Sequence, residues 1–502
     1  MNLAGAFSDS VQRHAEKTAL FWGDAKYTYS ELLSRSLFVA GILRQQFNVL
    51  PGDRVALWMK NRPEFIPALF GILQTGAVIV PVNNFLKPDE VAYILNDAAI
   101  DVVITDGELS AHFQALQAKR PKLKFLNAEN VLAAFPIAPG GVRFETELLR
   151  NPNRKETDLA VLIYTSGTTG KPKGAMLSHG NLLHNVNSCR LCLHTVAEDR
   201  FAVLLPMFHS YMLTVGILLP LLVGASIVIV KSLHPPRNVI QEIFTKRPTI
   251  LPAFPQLYRG LVNTELPGKL PIRICISGSA PLPGQLLREF ESKFRIPLIE
   301  GYGLSEASPV VSKNPLDGTH KPGSVGVPIP DVEMSIQTDE GQILGPNVVG
   351  EICVRGGNVM IGYWNQLEET AKAFRDGWLL TGDLGYRDDD GYYFITDRKK
   401  DMLLVNGNNV YPREIEEIIY QFPNVKEAAV VGKSDLRRGE HPVAFVVPNE
   451  GATVDENGLL KFVRARLADY KVPRQIIIST ALPRNATGKV LKTVLRDQVH
   501  GK

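Results

Sequence analysis

The chain has 502 residues, 45% hydrophobic and 21% charged, with 55 basic against 51 acidic side chains and a formal net charge of +4. This is the composition of a globular protein too long for one core, so more than one domain is expected. A balance so nearly neutral, with no basic block, gives no electrostatic footprint for nucleic acid.

The first hundred residues alternate regularly. Thr28-Tyr29-Ser30-Glu31 has capping-box spacing and is expected to open a helix carrying Leu32, Leu33, Leu37 and Ile42 at helical intervals. Strands are predicted over 54–58, 77–80 and 102–104, and helices over 64–74 and 87–96, a βαβ alternation that implies a largely parallel sheet. Residues 107–157, with Pro136, Pro139, Gly140, Gly141 and Pro152, read as a loose connection.

An apolar strand over 159–164 then feeds a loop of small, hydroxyl and basic residues, Tyr164-Thr165-Ser166-Gly167-Thr168-Thr169-Gly170-Lys171-Pro172-Lys173-Gly174. Small residues let an anion approach the backbone, and the lysines offset its charge, so the loop suits phosphate. It is not a Walker A loop: Thr165 stands where the first glycine is required, and Pro172 follows the lysine. A returning strand from Gly174 makes it a strand–loop–strand clamp.

A helix over 181–192 and a strand over 202–205 lead to Pro206-Met207-Phe208-His209-Ser210. Residues 211–230 carry no charge and are numerous enough to span a membrane, but Gly216, Pro220, Gly224 and Ser226 interrupt them, so buried core is expected. A further βα unit follows: strand 273–276, turn 277–281, helix 284–294, strand 297–299, then Glu300-Gly301-Tyr302-Gly303-Leu304-Ser305-Glu306. In open α/β sheets ligands sit beyond the carboxyl ends of strands. Four loops rich in Gly, Ser and His follow such ends here, and are expected to line one site.

Residues 325–397 change to short glycine-punctuated strands, a small barrel or sandwich. After the polar knot Asp397-Arg398-Lys399-Lys400-Asp401 comes a compact unit with a helix begun by Pro412, strands over 428–431, 443–447 and 476–479, and a helix over 459–470. The domain boundary is placed at that knot, giving 1–397 and 398–502. The expected fold is α/β: a large N-terminal domain of parallel α/β sheets with a small β-barrel-like subdomain, and a small mobile α+β C-terminal domain. Of the four cysteines, Cys189 and Cys192 form a Cys-x-x-Cys, but Cys275 and Cys353 are isolated and no His-x3-5-His accompanies them. Reduced thiols of a cytoplasmic protein are expected. Residues 1–9 have neither a basic nor an apolar leader region, so no signal peptide is expected.

With these segments in order, the chain resembles the adenylate-forming (AMP-binding) superfamily of acyl- and aryl-CoA ligases, luciferases and adenylation domains. The resemblance covers nearly the whole chain. It rests on the loop 164–174, on Glu300 to Glu306, on Gly377-Trp378-Leu379-Leu380-Thr381-Gly382-Asp383, on Asp397 to Asp401, and on Pro483-Arg484-Asn485-Ala486-Thr487-Gly488-Lys489. It is closest to bacterial long-chain fatty-acid–CoA ligases, through residues 300–309 with Val310-Val311-Ser312-Lys313-Asn314-Pro315 behind them.

The resemblance implies two steps. A carboxylate attacks the α-phosphate of ATP to give acyl-adenylate and pyrophosphate, and the thiol of coenzyme A then displaces AMP. ATP, Mg2+ and coenzyme A are thereby implied. It assigns Thr165, Ser166, Gly167, Thr168, Thr169, Gly170, Lys171 and Lys173 to the phosphates, and Ser279, Ala280, Glu300, Gly301, Tyr302, Gly303 and Ser305 to the nucleotide. Tyr302 would stack on adenine, and Asp383 and Arg398 would meet the ribose. Glu306, with Thr165, would hold Mg2+. Lys489 would bridge carboxylate and α-phosphate. His209 would steer the carboxylate, with Tyr211 and Met212 in the acyl pocket. Lys400 would be the hinge, and Asn406 and Gly407 would line the path of coenzyme A.

Two positions depart from the commonest pattern: lysine rather than aspartate at position 400, and no basic residue at Asn406. The second leaves the acceptor open between coenzyme A and a carrier-protein phosphopantetheine. An aryl acid in place of a medium- or long-chain fatty acid also stays open, as do a homodimer and peripheral membrane contact. A nucleotide-binding protein without chemistry is the remaining alternative, against which Glu306 and Lys489 both speak.

Overall fold

The computed structural model describes residues 1–135, 152–165, 171–233, 235, 237–435, 439–485 and 488–501. Two large sheets organise the first three hundred residues. One has seven strands in the order Gly362–Tyr363, Lys173–Ser178, Leu159–Thr165, Val78–Pro81, Arg54–Trp58, Val102–Thr105 and Lys124–Asn127. All neighbours pair in parallel except the first three strands, which run antiparallel to one another. The other has nine strands, and its centre is parallel: Leu298–Gly303, Ile274–Ser277, Ile250–Ala253, Arg200–Val203, Ser226–Ile229 and Thr18–Trp22 lie side by side.

Local signals explain the helices. Thr28 and Glu31 form the expected capping box at the start of helix Tyr29–Gln45. Helix Phe65–Thr75 is buried along its whole length, apolar on every side because it lies in the core and packs on Tyr29–Gln45. The uncharged run 211–230 is not one long helix. Met212–Leu218 is a π-helical turn, Leu219–Val223 a short α-helix and Ser226–Ile229 a strand, nearly all of it buried. Among the described residues no helix is long and apolar enough to cross a membrane. The four cysteines are free thiols.

The structure corrects the connection expected over 107–157. Helix Phe113–Lys119, strand Lys124–Asn127 and helix Ala128–Ala133 continue the α/β alternation to the sheet edge. Elements of four to seven residues are too short to show a clear period. The remainder of that stretch, 136–151, lies outside the described residues. An N-terminal helix, Leu3–His14, capped by the Asn2 side chain, adds an element the sequence reading did not place.

Residues 332–398 form an antiparallel five-stranded sheet built from Val332–Gln337, Gly350–Gly356, Trp378–Arg387, Phe374–Arg375 and Tyr393–Arg398. A fourth sheet, Asn408–Val410, Leu403–Val405, Gly439–Pro448, Val425–Asp435 and Gln475–Ile478, has its own apolar clusters on both faces. Val430 and Ala444 face helices Pro412–Ile419 and Glu456–Arg464, whereas Val431 and Phe445 face helix Lys492–His500. Strands covered on both sides read as continuous apolar runs, as 443–447 does.

Candidate active site

Parallel pairing sets the carboxyl ends of Arg200–Val203, Ile274–Ser277 and Leu298–Gly303 along one edge of the nine-stranded sheet. The loops that follow them therefore share one cleft, and the seven-stranded sheet meets it through Thr165. The Thr165 hydroxyl stands 3.4 Å from Glu306 Oε1, to which the Tyr363 phenol also donates at 3.0 Å. Burial, and then the Glu306 charge, push the Tyr363 phenol well up, so it keeps the proton it donates. A hydroxyl and a carboxylate are hard oxygen donors, and as a pair they fit Mg2+, which is held by few protein oxygens and keeps waters and phosphate oxygens as its other ligands. Ser166, Gly167, Thr168, Thr169 and Gly170 lie outside the described residues.

Lys171 is exposed and 5.9 Å from the Tyr93 ring centroid. Lys173 is buried, its ammonium bound by Glu369 and 5.3 Å from the Tyr363 ring centroid. Of the two lysines assigned to phosphate, one faces solvent and the other is already paired.

The strand over 298–303 runs further than expected, because Gly301, Tyr302 and Gly303 pair antiparallel with Val310–Lys313. Tyr302 is thereby aimed at Asp383, donating to its Oδ2 at 2.6 Å. Asp383 is buried and also pairs with Arg398 Nε at 3.1 Å, its cross-strand neighbour. The Asp383 carboxylate holds the guanidinium of Arg398 above its ordinary pKa, and burial followed by Asp383 raises the Tyr302 phenol. Tyr302, Asp383 and Arg398 are one hydrogen-bonded unit.

Glu300 has partners outside that unit. Its Oε1 accepts from Leu282 N at 3.0 Å and lies 3.9 Å from Arg413 of helix Pro412–Ile419. Burial pushes its carboxyl up to about 7, with Arg413 pulling the other way. Ser305 joins the loop before it, its hydroxyl 3.0 Å from Ser210. Ser279 has a left-handed backbone, φ 67°, and the Ser277 and Ser279 hydroxyls are buried without a protein partner. With Gly278 and Ala280 they make a short turn that holds two buried hydroxyls unpaired by protein. The Tyr211 ring lies against Gly278, where a Cβ would come within 3.1 Å of it, and its hydroxyl donates to Ile276 O at 3.0 Å. Met212 is fully buried beside it.

His209 is half-buried, and its Nδ1 accepts from Tyr211 N at 3.3 Å, which leaves the ring proton on Nε2. Burial, and then the Lys489 ammonium, lower it to about 4, so it is neutral near pH 7. Lys489 is thus in this cleft. Its side chain keeps access to water there, yet the surrounding protein, and then Arg398, bring its pKa down to about 8, with Asp383 and Asp401 opposing and Lys400 adding. His209 and Lys489 therefore converge from separate ends of the chain.

Lys400 is exposed in the turn that joins the antiparallel sheet to the last one. Asn406, φ 51°, and Gly407, φ 78°, are the exposed two-residue turn between Leu403–Val405 and Asn408–Val410. Positive φ at both marks a type I′ hairpin, the conformation that Asn-Gly favours. Sequence reasoning missed Tyr363, Glu369, Ser210, Arg413 and Asn61; the Asn61 side chain pins residues 205–207 by bonds of 2.8 Å to Leu205 O and Met207 N. No local pattern marks them, since each acts across a strand pairing or a loop contact.

The chain is similar to known proteins over nearly its whole length. The AMP-binding enzyme family matches residues 7–364, and the AMP-binding enzyme C-terminal domain matches 414–489. A long-chain-fatty-acid–CoA ligase of Bacillus subtilis (strain 168) is 37% identical, with 99% of this chain and 94% of that protein aligned. A feruloyl-CoA synthase of an Amycolatopsis species is 36% identical over 95% of each. The ATP-bound crystal structure of MatB from Rhodopseudomonas palustris superposes with a TM-score of 0.90 at 32% identity, covering 99% of both chains. The chain belongs to the AMP-binding enzyme family, as an AMP-forming acid–thiol ligase that works with ATP, Mg2+ and coenzyme A.

Proposed function

We propose that the chain activates a medium- or long-chain fatty acid. The observation that carries this reading is the uncharged stretch that follows His209. Residues 211–230 hold no ionisable side chain other than the Tyr211 phenol, and nearly all of them are buried. A second carboxylate on the substrate would need a cation there and would otherwise be desolvated unpaired. An apolar monocarboxylic acid meets no such cost.

In this reading His209 donates from Nε2 to the substrate carboxylate. Lys489 bridges that carboxylate and the α-phosphate, neutralising charge that develops in the in-line attack. Glu306 and Thr165 would hold Mg2+, which would neutralise phosphate charge when bound. Lys171 meets phosphate directly, whereas Lys173, tied to Glu369, braces the returning strand. Asp383 accepts from the ribose hydroxyls with Arg398 beside it, and the 277–280 turn takes the adenine edge. The chain divides into 1–397 and 398–502, the latter turning about Lys400 to bring Asn406 and Gly407 to coenzyme A.

Pyrophosphate release measured over straight-chain acids from acetate to oleate, with several aryl acids, tests the substrate. Each methylene taken out of water contributes about 0.8 kcal/mol, so decanoate and oleate should exceed acetate by well over about tenfold. Equal rates with acetate would refute the fatty-acid reading. The likeness to a feruloyl-CoA synthase supports an aryl acid as the second reading, and a preference for ferulate over oleate would establish it.

A further inference from the structure

The hairpin that carries Lys489 is braced within its own domain. Asn485 and Lys489 exchange two hydrogen bonds of 2.9 Å, and Arg484 bonds Gly488 O while pairing with Glu427 at 3.0 Å. Its support on the large body is a ledge just past strand Ile250–Ala253. Gly488 has φ 81°, and a Cβ built on it would lie 3.5 Å from Phe254 Cδ2 and 3.7 Å from the end of Gln256. With the Gln256 amide oxygen turned to the hairpin, the orientation its neighbours demand, it accepts from Arg484 Nη2 at 2.9 Å and Nη1 at 2.7 Å. Both guanidinium bonds converge on one neutral oxygen, and the half-buried Phe254 ring lies under the glycine.

We propose that Gln256, backed by Phe254, is the seat of the Lys489 hairpin: a positioning residue for adenylation that plays no part in transfer to coenzyme A. The inference rests on the reading of Lys489 given above. Gln256 touches the small domain through Arg484, and Arg484 is fixed to the hairpin through Gly488. The contact therefore exists only while Lys489 is in the cleft, and ends when the domain turns. Losing it lowers the population of the adenylating orientation without altering where ATP binds.

The test measures two steps on the full-length enzyme: ATP–pyrophosphate exchange with oleate, and thioester formation from supplied oleoyl-adenylate and coenzyme A. Gln256→Leu removes the acceptor and keeps the bulk. Exchange should fall about tenfold in kcat with KM for ATP retained, as for loss of a hydrogen bond to a charged group, and transfer should stay within about twofold. Gln256→Glu should keep exchange, because a carboxylate pairs with Arg484. Unchanged exchange in Gln256→Leu, or an equal loss in both steps, overturns the seat. Lys489→Ala run alongside separates the two ideas. An equal loss of both steps in that variant refutes the reading of Lys489, whereas loss of exchange alone, with Gln256→Leu silent, refutes only the seat.

Discussion

The alkaline limb of the pH profile offers a direct test of Lys489. Desolvation by the surrounding protein, and then the neighbouring Arg398, lower its pKa from the usual lysine value to about 8, against the pull of Asp383 and Asp401. The sign follows: the charged form is disfavoured in the folded protein, so it is lost as pH rises through about 8 rather than at a free lysine's value near 10.4. Only the ammonium can bridge two anions. At about pH 9 roughly one enzyme molecule in ten would carry the charge, and the competent fraction falls about tenfold with each further unit. His209, lowered to about 4, stays neutral throughout this range and adds no limb of its own. The measurement is ATP–pyrophosphate exchange at subsaturating ATP, because kcat/KM reports groups of the free enzyme. Lys489→Arg keeps its charge to beyond about pH 12 and should erase the limb at reduced rate. A profile flat through about pH 9.5, or a limb that survives in Lys489→Arg, would refute the argument.

Tyr363→Phe removes the phenol that donates to Glu306 at 3.0 Å. Binding of Mn2+ in the presence of ATP, followed by electron paramagnetic resonance, should weaken by about tenfold, the worth of one hydrogen bond to a charged group; unaltered binding counts against Tyr363 as its positioner. Asp383→Asn leaves Arg398 without its anion, so KM for ATP should rise about tenfold or more, and an unchanged KM would mean the ribose is held elsewhere. Gly71→Val drives a side chain into helix Tyr29–Gln45, where even a Cβ would lie 2.8 Å from Val39 Cβ. Denaturant unfolding should show a loss of about 1–3 kcal/mol, and an unshifted midpoint would mean the helix pair moves apart freely.

What the sequence discloses is chemistry carried by neighbouring residues. The loop after Tyr164, the segment from Glu300 to Glu306 and the strand that carries Asp383 each hold their donors within a few positions, and the fold brings Thr165 to Glu306 and Tyr302 to Asp383. What stays hidden is set by pairing. Tyr363 reaches Glu306 because Gly362–Tyr363 adds to the edge of Lys173–Ser178, and the same contact delivers Glu369 to Lys173 through helix Leu367–Ala373. Glu300 shows the limit of motif reading. It stands inside a segment assigned to the nucleotide, yet its carboxylate is taken up by the Leu282 N–H and faces Arg413. Asn406-Gly407, read from the sequence only as a contact for coenzyme A, is also a turn dipeptide, and the positive φ at both residues is what Asn-Gly supplies. The short elements between 109 and 133 lacked enough residues for a period to emerge.

The hinge assignment gains a physical basis from its neighbours. Lys399 is fastened to the antiparallel sheet: its N–H donates to Gly382 O at 2.9 Å and its ammonium lies 3.1 Å from Glu351. Asp401 is fastened to the small domain, its carboxylate bound by Arg496 of helix Lys492–His500. Between these anchors stands Lys400, whose N–H takes no part in the turn that Asp401 N closes onto Arg398 O at 2.8 Å. Neither Lys399 nor Lys400 has a positive φ, so the turn needs Lys399 in the helical region. Lys400→Pro would remove no bond of this turn, but its ring would push Lys399 toward extended backbone and open it. The orientation that places Lys489 beside His209 would then be the one lost. Pyrophosphate exchange should fall by about tenfold or more, whereas Lys400→Ala, which leaves the backbone free, should keep both steps. If Lys400→Pro exchanges pyrophosphate and forms thioester at the unmodified rates, the domain turns about some other residue.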